Sequence, residues 1–363
     1  PPITTPFYPD GQVYHKKLEA NVERYSRTPA AGIVVLGSTG EAILLSDQER
    51  RDVLKTALAA AAPNKVMIAG TGIESAHETL ALTDHAAELG YDAAMVRTPH
   101  YYKKQMLPAN ILAFYRTVAD RSPLPIVIYN FPPATGYDIP AEVVIELADH
   151  PNIIAIKESS GNLEKVKKMV DSTRPVKRSA TVTETFEAVT PRMLKAAAAE
   201  SAKQSRELVS VEALTGSMER GASSNFADSS ATKPSSSAVT VVGKLKTRQK
   251  EIGFQVMVGA AHQLEPSLGM GAVGAILAFA CPAPMACYEI YAALKDGDNA
   301  LAREKQDRVK LPAQRIVSEL GVPGVKYAME LNGYYGGPSR LPFLPLTAEM
   351  KAEIEKLMTG IKS

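Results

Sequence analysis

The chain of 363 residues contains only two cysteines, Cys281 and Cys287, and a net charge of only +2. Two cysteines do not make a disulfide framework, which fits a reducing compartment, either the cytoplasm or the mitochondrial matrix. Five residues separate them and no histidine pair lies nearby, so they make a poor zinc site. The six histidines are scattered without metal-ligand spacing. The small net charge selects neither nucleic acid nor an anionic membrane as partner. No apolar run reaches the ~18–20 residues that a membrane-crossing helix needs. The longest is AVGAILAFA at 272–280. Neither a P-loop nor an H-E-x-x-H motif is present. GMGAVG at 269–274 matches a dinucleotide fingerprint, but no strand closely precedes it, and Pro282 and Pro284 interrupt the segment after it. A nicotinamide-dependent oxidoreductase would rest on that match alone. A targeting segment would lie upstream of Pro1, so its absence from this sequence carries no information.

The rest is a globular composition, 45% hydrophobic and 22% charged. Short apolar runs alternate with amphipathic stretches. The expected strands are 1–7, 32–37, 65–72, 93–99, 125–132, 153–159, 254–260 and 272–280. Helix starters stand between most of them: Ser46 with Glu49 resembles a capping box, Ser75 precedes HETLALTDHAAEL, and Pro140 fits a first helical turn. Eight strand signals with intervening helices imply parallel βαβ units and the number that closes a (β/α)₈ barrel, an open doubly wound sheet being the alternative. The expected domains are a barrel over 1–172 and 254–282, an insert over 173–253, and a helical segment over 283–363. Helices are expected there at 284–296, 298–320, 323–332 and 347–361. The insert has no clean period. It carries AAAAESAK and then GASSNFADSSATKPSSSAVT, a composition that buries little apolar surface and reads as disordered, loosely attached, or an artefact of the gene model.

One lysine, Lys157, ends the apolar run IIAIKESSGN at 153–162. In a strand buried on both faces its ammonium would be poorly solvated and its pKa would fall toward neutrality. A neutral lysine amine attacks ketones and aldehydes to form a Schiff base. The competing reading pairs Lys157 with Glu158 or another carboxylate just past the strand. GSTGE at 37–41 comes directly after a strand, and its glycines, Ser38 and Thr39 suit a carboxylate or phosphate, though an ordinary βα loop has the same composition. Tyr129, in YNFPPATG at 129–136, is a proton shuttle or a packed core ring. Tyr101, in TPHYY at 98–102, is a surface aromatic or an interface anchor. Ser38, Thr39, Tyr101, Tyr129 and Lys157 all fall at C-terminal strand ends, the face where such barrels place their active sites.

In GSTGE, YNFPPATG and IKESSGN together, with Lys157 placed 28 positions after Tyr129, the chain resembles the dihydrodipicolinate synthase / N-acetylneuraminate lyase family of class I aldolases. The resemblance covers 1–172 and 254–346. It implies a (β/α)₈ barrel with C-terminal helices, a homo-oligomer (tetramer or dimer), a small 2-oxo acid substrate, and no metal or organic cofactor. It further implies that Lys157 is the Schiff-base lysine, Tyr129 the proton shuttle and Ser38 a hydroxyl relay. Thr39 would hold the pyruvate carboxylate, and Gly259 and Ile276 would form backbone and wall around the keto acid. Tyr101 would be contributed to a neighbouring subunit's site. Synthases of the family carry an arginine in YN-x-P-x-R-TG, where this chain has Ala134. The tail GVPGVKYAMELNGYYGGPSRLP and the segment AGTGIES look more like the 4-hydroxy-2-oxoglutarate aldolase branch, with 2-keto-3-deoxy sugar acid aldolases close by. The expectation is therefore a lyase that cleaves a 4-hydroxy-2-oxo acid to pyruvate and an aldehyde. The alternatives are 4-hydroxy-tetrahydrodipicolinate synthase and, from another class, a non-catalytic barrel that binds keto acids.

Overall fold

Val, Ile and Ala fill the short runs between helices, and only a sheet covered on both faces has use for them. In the computed structural model, which describes residues 1–184, 187–215, 239–243 and 245–361 and only the backbone of 204–215, these runs pair in parallel. They are β1 (Gly32–Val35), β2 (Val66–Gly70), β3 (Ala93–Arg97), β4 (Ile126–Asn130) and β5 (Ile153–Glu158). After an intervening unit containing β6 to β8 come β9 (Gln255–Val258) and β10 (Gly274–Ala275). The order β1-β2-β3-β4-β5-β9-β10 matches the chain order of a (β/α)₈ barrel.

Two expected strands are shorter than the sequence suggested. The first, at 1–7, is reduced to a parallel bridge between Pro2 and Val34, with Ile3 N donating to Val34 O at 2.9 Å. Pro2 and Pro6 have no N–H to give a ladder, so the segment lies beside β1 without a full register. The last, at 272–280, pairs only through Gly274 and Ala275 before a 3₁₀ turn at Ala278–Ala280.

Two apolar layers arise from the alternation along each strand. Val34, Ala93, Met95, Val127, Tyr129, Ala155 and Ile276 cluster on one side of the sheet, in the barrel interior. The other face joins the helices in one large core. The helices start where their caps predict. Ser46 and Glu49 form a reciprocal capping box on Asp47–Ala60, and Ser75 Oγ accepts from Glu78 N at the start of Ala76–Leu89.

The C-terminal helices are Pro284–Lys295, Asn299–Ala313, Gly321–Leu331 and Ala348–Leu357. The run expected at 298–320 changes character after Pro312, which has no N–H for the ladder, and Gln314–Glu319 is π-helical. This segment is tied to GSTGE by a buried ion pair. Lys326 Nζ lies 2.5 Å from Glu41 Oε1, and Arg340 N donates to Glu41 Oε2 at 2.8 Å.

Residues Arg178–Ile252 form a separate unit. Its strands β6 (Arg178–Thr183), β7 (Thr240–Val242) and β8 (Leu245–Ile252) are antiparallel in the order β6-β8-β7, and a helix spans Pro191–Thr215. Regular structure is present here although the sequence of 173–253 shows no clean period. In β6 and β8 only Val182 and Thr247 are buried, so RSATVT and LKTRQKEI carry no apolar alternation to read. The serine-rich stretch over 221–238, read as disordered, lies outside the described residues.

Candidate active site

Strand register aligns the chemistry. Arg97 on β3 pairs with Tyr129 on β4, and Tyr129 pairs with Lys157 on β5. Partners in parallel register face the same way. Met95, Val127 and Ala155 lie two residues earlier on the same three strands, in the interior cluster. Arg97, Tyr129 and Lys157 therefore form one row at the C-terminal mouth, inside the barrel.

Lys157 is 4% exposed and makes no ion pair among the described residues. Burial pushes its amine from the ordinary lysine value down to about 7. Its Nζ lies 4.2 Å from the centroid of the Tyr129 ring. Glu158 does not neutralise it. The next residue of a strand points to the opposite face, where Glu158 Oε2 lies 3.0 Å from Lys165 Nζ and both carboxylate oxygens accept from Asn130 Nδ2 at 2.9 Å. Asp138 completes that cluster through Asn130 and Lys165. Ser160 N donates to Glu158 Oε1 at 2.7 Å, which anchors the loop after Lys157. This network was not foreseen, although Asn130 and Glu158 are the residues immediately after the two candidates.

Tyr129 is 5% exposed, and its hydroxyl is hydrogen-bonded to Ser38 Oγ at 3.2 Å. Burial raises its phenol to about 12, with Ser38 acting in the opposite sense. The phenol is thus protonated at neutral pH and strongly basic once it has given up that proton. Ser38 opens a 3₁₀ turn, Ser38–Gly40, held between two non-glycine residues at positive φ, Leu36 at 62° and Glu41 at 54°. Thr39 is buried in that turn, and Thr5 Oγ1 donates to Gly40 O at 2.6 Å.

Gly259 comes just after β9 and must be glycine. A Cβ there would stand 1.9 Å from Ser159 Oγ and 3.3 Å from Lys157 Cε. Gly259→Ala should cost about 1–3 kcal/mol of stability through overpacking and displace Lys157. Thermal unfolding together with the yield of borohydride-trapped adduct checks both effects. Ile276 is buried in the interior cluster with Tyr129. Tyr101 is not brought into the row. It is 75% exposed beside Tyr102, their ring centroids 5.1 Å apart at 84°. Ala134 lies exposed in the helical turn Pro132–Thr135 after β4, with no cation at that position. GMGAVG comes after a short helix, Leu264–Gly269, rather than a strand, so it lacks the strand–turn–helix setting of a dinucleotide site.

Reasoning from sequence missed two cations, Arg97 and Arg50. Both line the hollow at the mouth that contains Ser38 and Tyr129. Arg97 had a signal: AAMVR ends an apolar run in a cation, the pattern that singled out Lys157. Arg50, on the outer helix Asp47–Ala60, had none.

Known proteins match the chain over nearly its whole length. A 4-hydroxy-tetrahydrodipicolinate synthase of Methanothrix thermoacetophila is 28% identical over 359 residues, 99% of this chain and 95% of the relative. One from Methanosarcina barkeri is 39% identical over 174 residues, 48% of this chain and 58% of the relative. Among solved structures, a chloride-inhibited dihydrodipicolinate synthase of Acinetobacter baumannii complexed with pyruvate superimposes with TM-score 0.73 at 25% identity, covering 99% of this chain and 97% of that one. YagE of E. coli K12, also in complex with pyruvate, shares the fold with TM-score 0.72 at 24% identity over 99% and 97% of the two chains. These relatives carry synthase and synthase-family names and do not support the 4-hydroxy-2-oxoglutarate aldolase branch expected from the tail. The model of the dihydrodipicolinate synthetase family matches residues 1–205 and 229–361. The chain belongs to that family, an enzyme of its class I aldolase type.

Proposed function

We propose that Lys157 forms a Schiff base with pyruvate and that the enzyme makes or breaks a carbon–carbon bond at C3 of the bound acid. A buried lysine without a carboxylate partner among the described residues, next to a phenol–hydroxyl pair, carries this reading. Near neutral pH roughly half of the Lys157 side chains are uncharged, given a pKa of about 7. The neutral amine attacks the C2 ketone. Tyr129 gives its proton to the developing oxyanion, and the carbinolamine loses water to give an iminium. The iminium draws electrons from C3, whose proton leaves, and an enamine results. The enamine carbon attacks an aldehyde, and hydrolysis of the new iminium frees the product. Run backward from a 4-hydroxy-2-oxo acid, the same steps release pyruvate and an aldehyde. Covalent attachment divides one difficult carbanion-forming step into easier ones. Ser38 passes protons to and from Tyr129, while Thr39 holds the C1 carboxylate and Gly259 and Ile276 bound the acid. Tyr101, exposed in one chain, reaches the Ser38–Tyr129 pair of a neighbouring subunit, which calls for a homo-oligomer.

The aldehyde is the open half. The names of the relatives favour condensation of pyruvate with aspartate semialdehyde to 4-hydroxy-tetrahydrodipicolinate. Ala134 favours cleavage of a 4-hydroxy-2-oxo acid such as 4-hydroxy-2-oxoglutarate, because it leaves the synthases' arginine position empty of charge. Initial rates of both reactions on one preparation decide between them. The synthase reading expects condensation with aspartate semialdehyde to exceed cleavage of 4-hydroxy-2-oxoglutarate at least tenfold in kcat/KM, and the reverse ratio overturns it.

A further inference from the structure

The mouth of the barrel holds a second feature. Between Ser38, Gly72, Met95 and Tyr129 lies a hollow whose only charged side chains among the described residues are Arg50 and Arg97. It is small, about 40 Å³, where one bound water needs about 10–15 Å³.

Both arginines are built into place. Gly72 makes room for Arg97, since a Cβ there would stand 2.4 Å from Arg97 N and 2.9 Å from its Cγ. Glu74 Oε1 lies 2.9 Å from Arg97 Nη1 and 2.6 Å from His100 Nδ1, and Glu74 Oε2 accepts from the backbone of His100 and Tyr101. Arg97 is therefore offset by a carboxylate. Arg50 is not. Its Nε donates to Ala42 O at 3.0 Å, and it makes no ion pair among the described residues. The acids of its own turn are engaged elsewhere: Asp47 with Arg51 at 2.8 Å, and Glu49 with Arg340 at 2.6 Å. Burial weakens Arg50's hold on its proton, Asp47 and Glu49 nearby offset part of that effect and Arg97 adds to it, so an anion in the hollow would favour the charged form further.

Two arginines at a hollow lined by the Ser38 and Tyr129 hydroxyls, one of them half-buried and without a direct ion pair among the described residues, imply an anionic guest. We propose that Arg50, with Arg97 beside it, binds the carboxylate of the second substrate, the one carried on the aldehyde half. The site then takes a short carboxylate-bearing aldehyde, or the dicarboxylic 2-oxo acid formed from it, and discriminates against neutral aldehydes. This rests on the Schiff-base reading only in placing pyruvate at Lys157, and it holds for either direction of the reaction. It also supplies, from another part of the mouth, the charge that Ala134 lacks.

The experiment compares the wild type, Arg50→Gln and Arg50→Lys. Titration calorimetry with 2-oxoglutarate and with 2-oxopentanoate, equal in length but lacking the distal carboxylate, reads the subsite without any turnover. The wild type should prefer 2-oxoglutarate on the order of 10- to 100-fold, the worth of a charge-assisted contact. Arg50→Gln should lose most of that preference, and Arg50→Lys should retain part of it. In the steady state, Arg50→Gln should raise KM for aspartate semialdehyde or 4-hydroxy-2-oxoglutarate by a similar factor, with a much smaller change for glycolaldehyde. Borohydride trapping of pyruvate on the same variants reports that Lys157 remains in place. Equal wild-type affinity for the two acids, or a preference that survives Arg50→Gln, overturns the proposal. Failure of the Schiff-base reading shows separately, as absence of a trapped adduct in the wild type.

Discussion

Lys157→Ala should lower turnover by at least about 10⁴-fold, since no other amine in the row can replace a covalent nucleophile. The loss should fall on kcat, with the far-ultraviolet spectrum unchanged. The same position should carry a stability effect of opposite sign. Burial holds the Lys157 amine at about 7, well below its ordinary value. Between about 7 and about 10.5 the unfolded chain binds more protons than the folded one, so the stability of the wild type rises with pH across that window. Below it the cost of burying the charge is fully present. Lys157→Met fills most of the volume without the charge, so it should be more stable than wild type by a few kcal/mol near pH 6, with the gap closing toward pH 10. Denaturant titrations at those two values test it. A gap independent of pH would mean that Lys157 is not held neutral by burial, and turnover near that of the wild type in Lys157→Ala would remove the lysine from the chemistry.

Tyr129→Phe should reduce turnover by about 10²–10⁴-fold, the range for a positioned proton donor. The ring remains, so packing beside Val127 and Ala155 should survive and the fall should appear without loss of fold. Ser38 should then have lost its partner, since its Oγ is bonded to the Tyr129 hydroxyl. Ser38→Ala in the Tyr129→Phe background should accordingly cost far less than it does alone, as expected of residues that act as one unit. Additive effects of the two substitutions would contradict a shared relay. A rate unchanged in Tyr129→Phe would assign the ring to packing alone.

The barrel was legible because a sheet covered on both faces writes itself as unbroken apolar runs. Lys157 was legible for the same reason, as a charge at the end of one such run. The rule was not carried to AAMVR, where it would have found Arg97. Arg50 had no such signal, since its position on an outer helix leaves its reach to the mouth undetermined until the helix is docked. Glu41 read as part of a substrate loop, yet its carboxylate is committed to Lys326 more than 280 residues later, a pairing no local pattern encodes. The small antiparallel sheet of Arg178–Ile252 was missed because strands that bury at most one residue each leave no apolar period. Tyr101 is a different case, because it is exposed in one chain and the role proposed for it in a neighbouring subunit leaves no trace within that chain.

Lys157 as a neutral nucleophile for a 2-oxo acid is the central claim. Incubation with pyruvate, reduction with borohydride and peptide mass mapping test it most directly. The expected result is a single reduced pyruvyl adduct, confined to the peptide containing Lys157, absent without pyruvate, and forming with a midpoint near the Lys157 pKa of about 7. Folded protein that yields no adduct, or an adduct on another lysine, would contradict it.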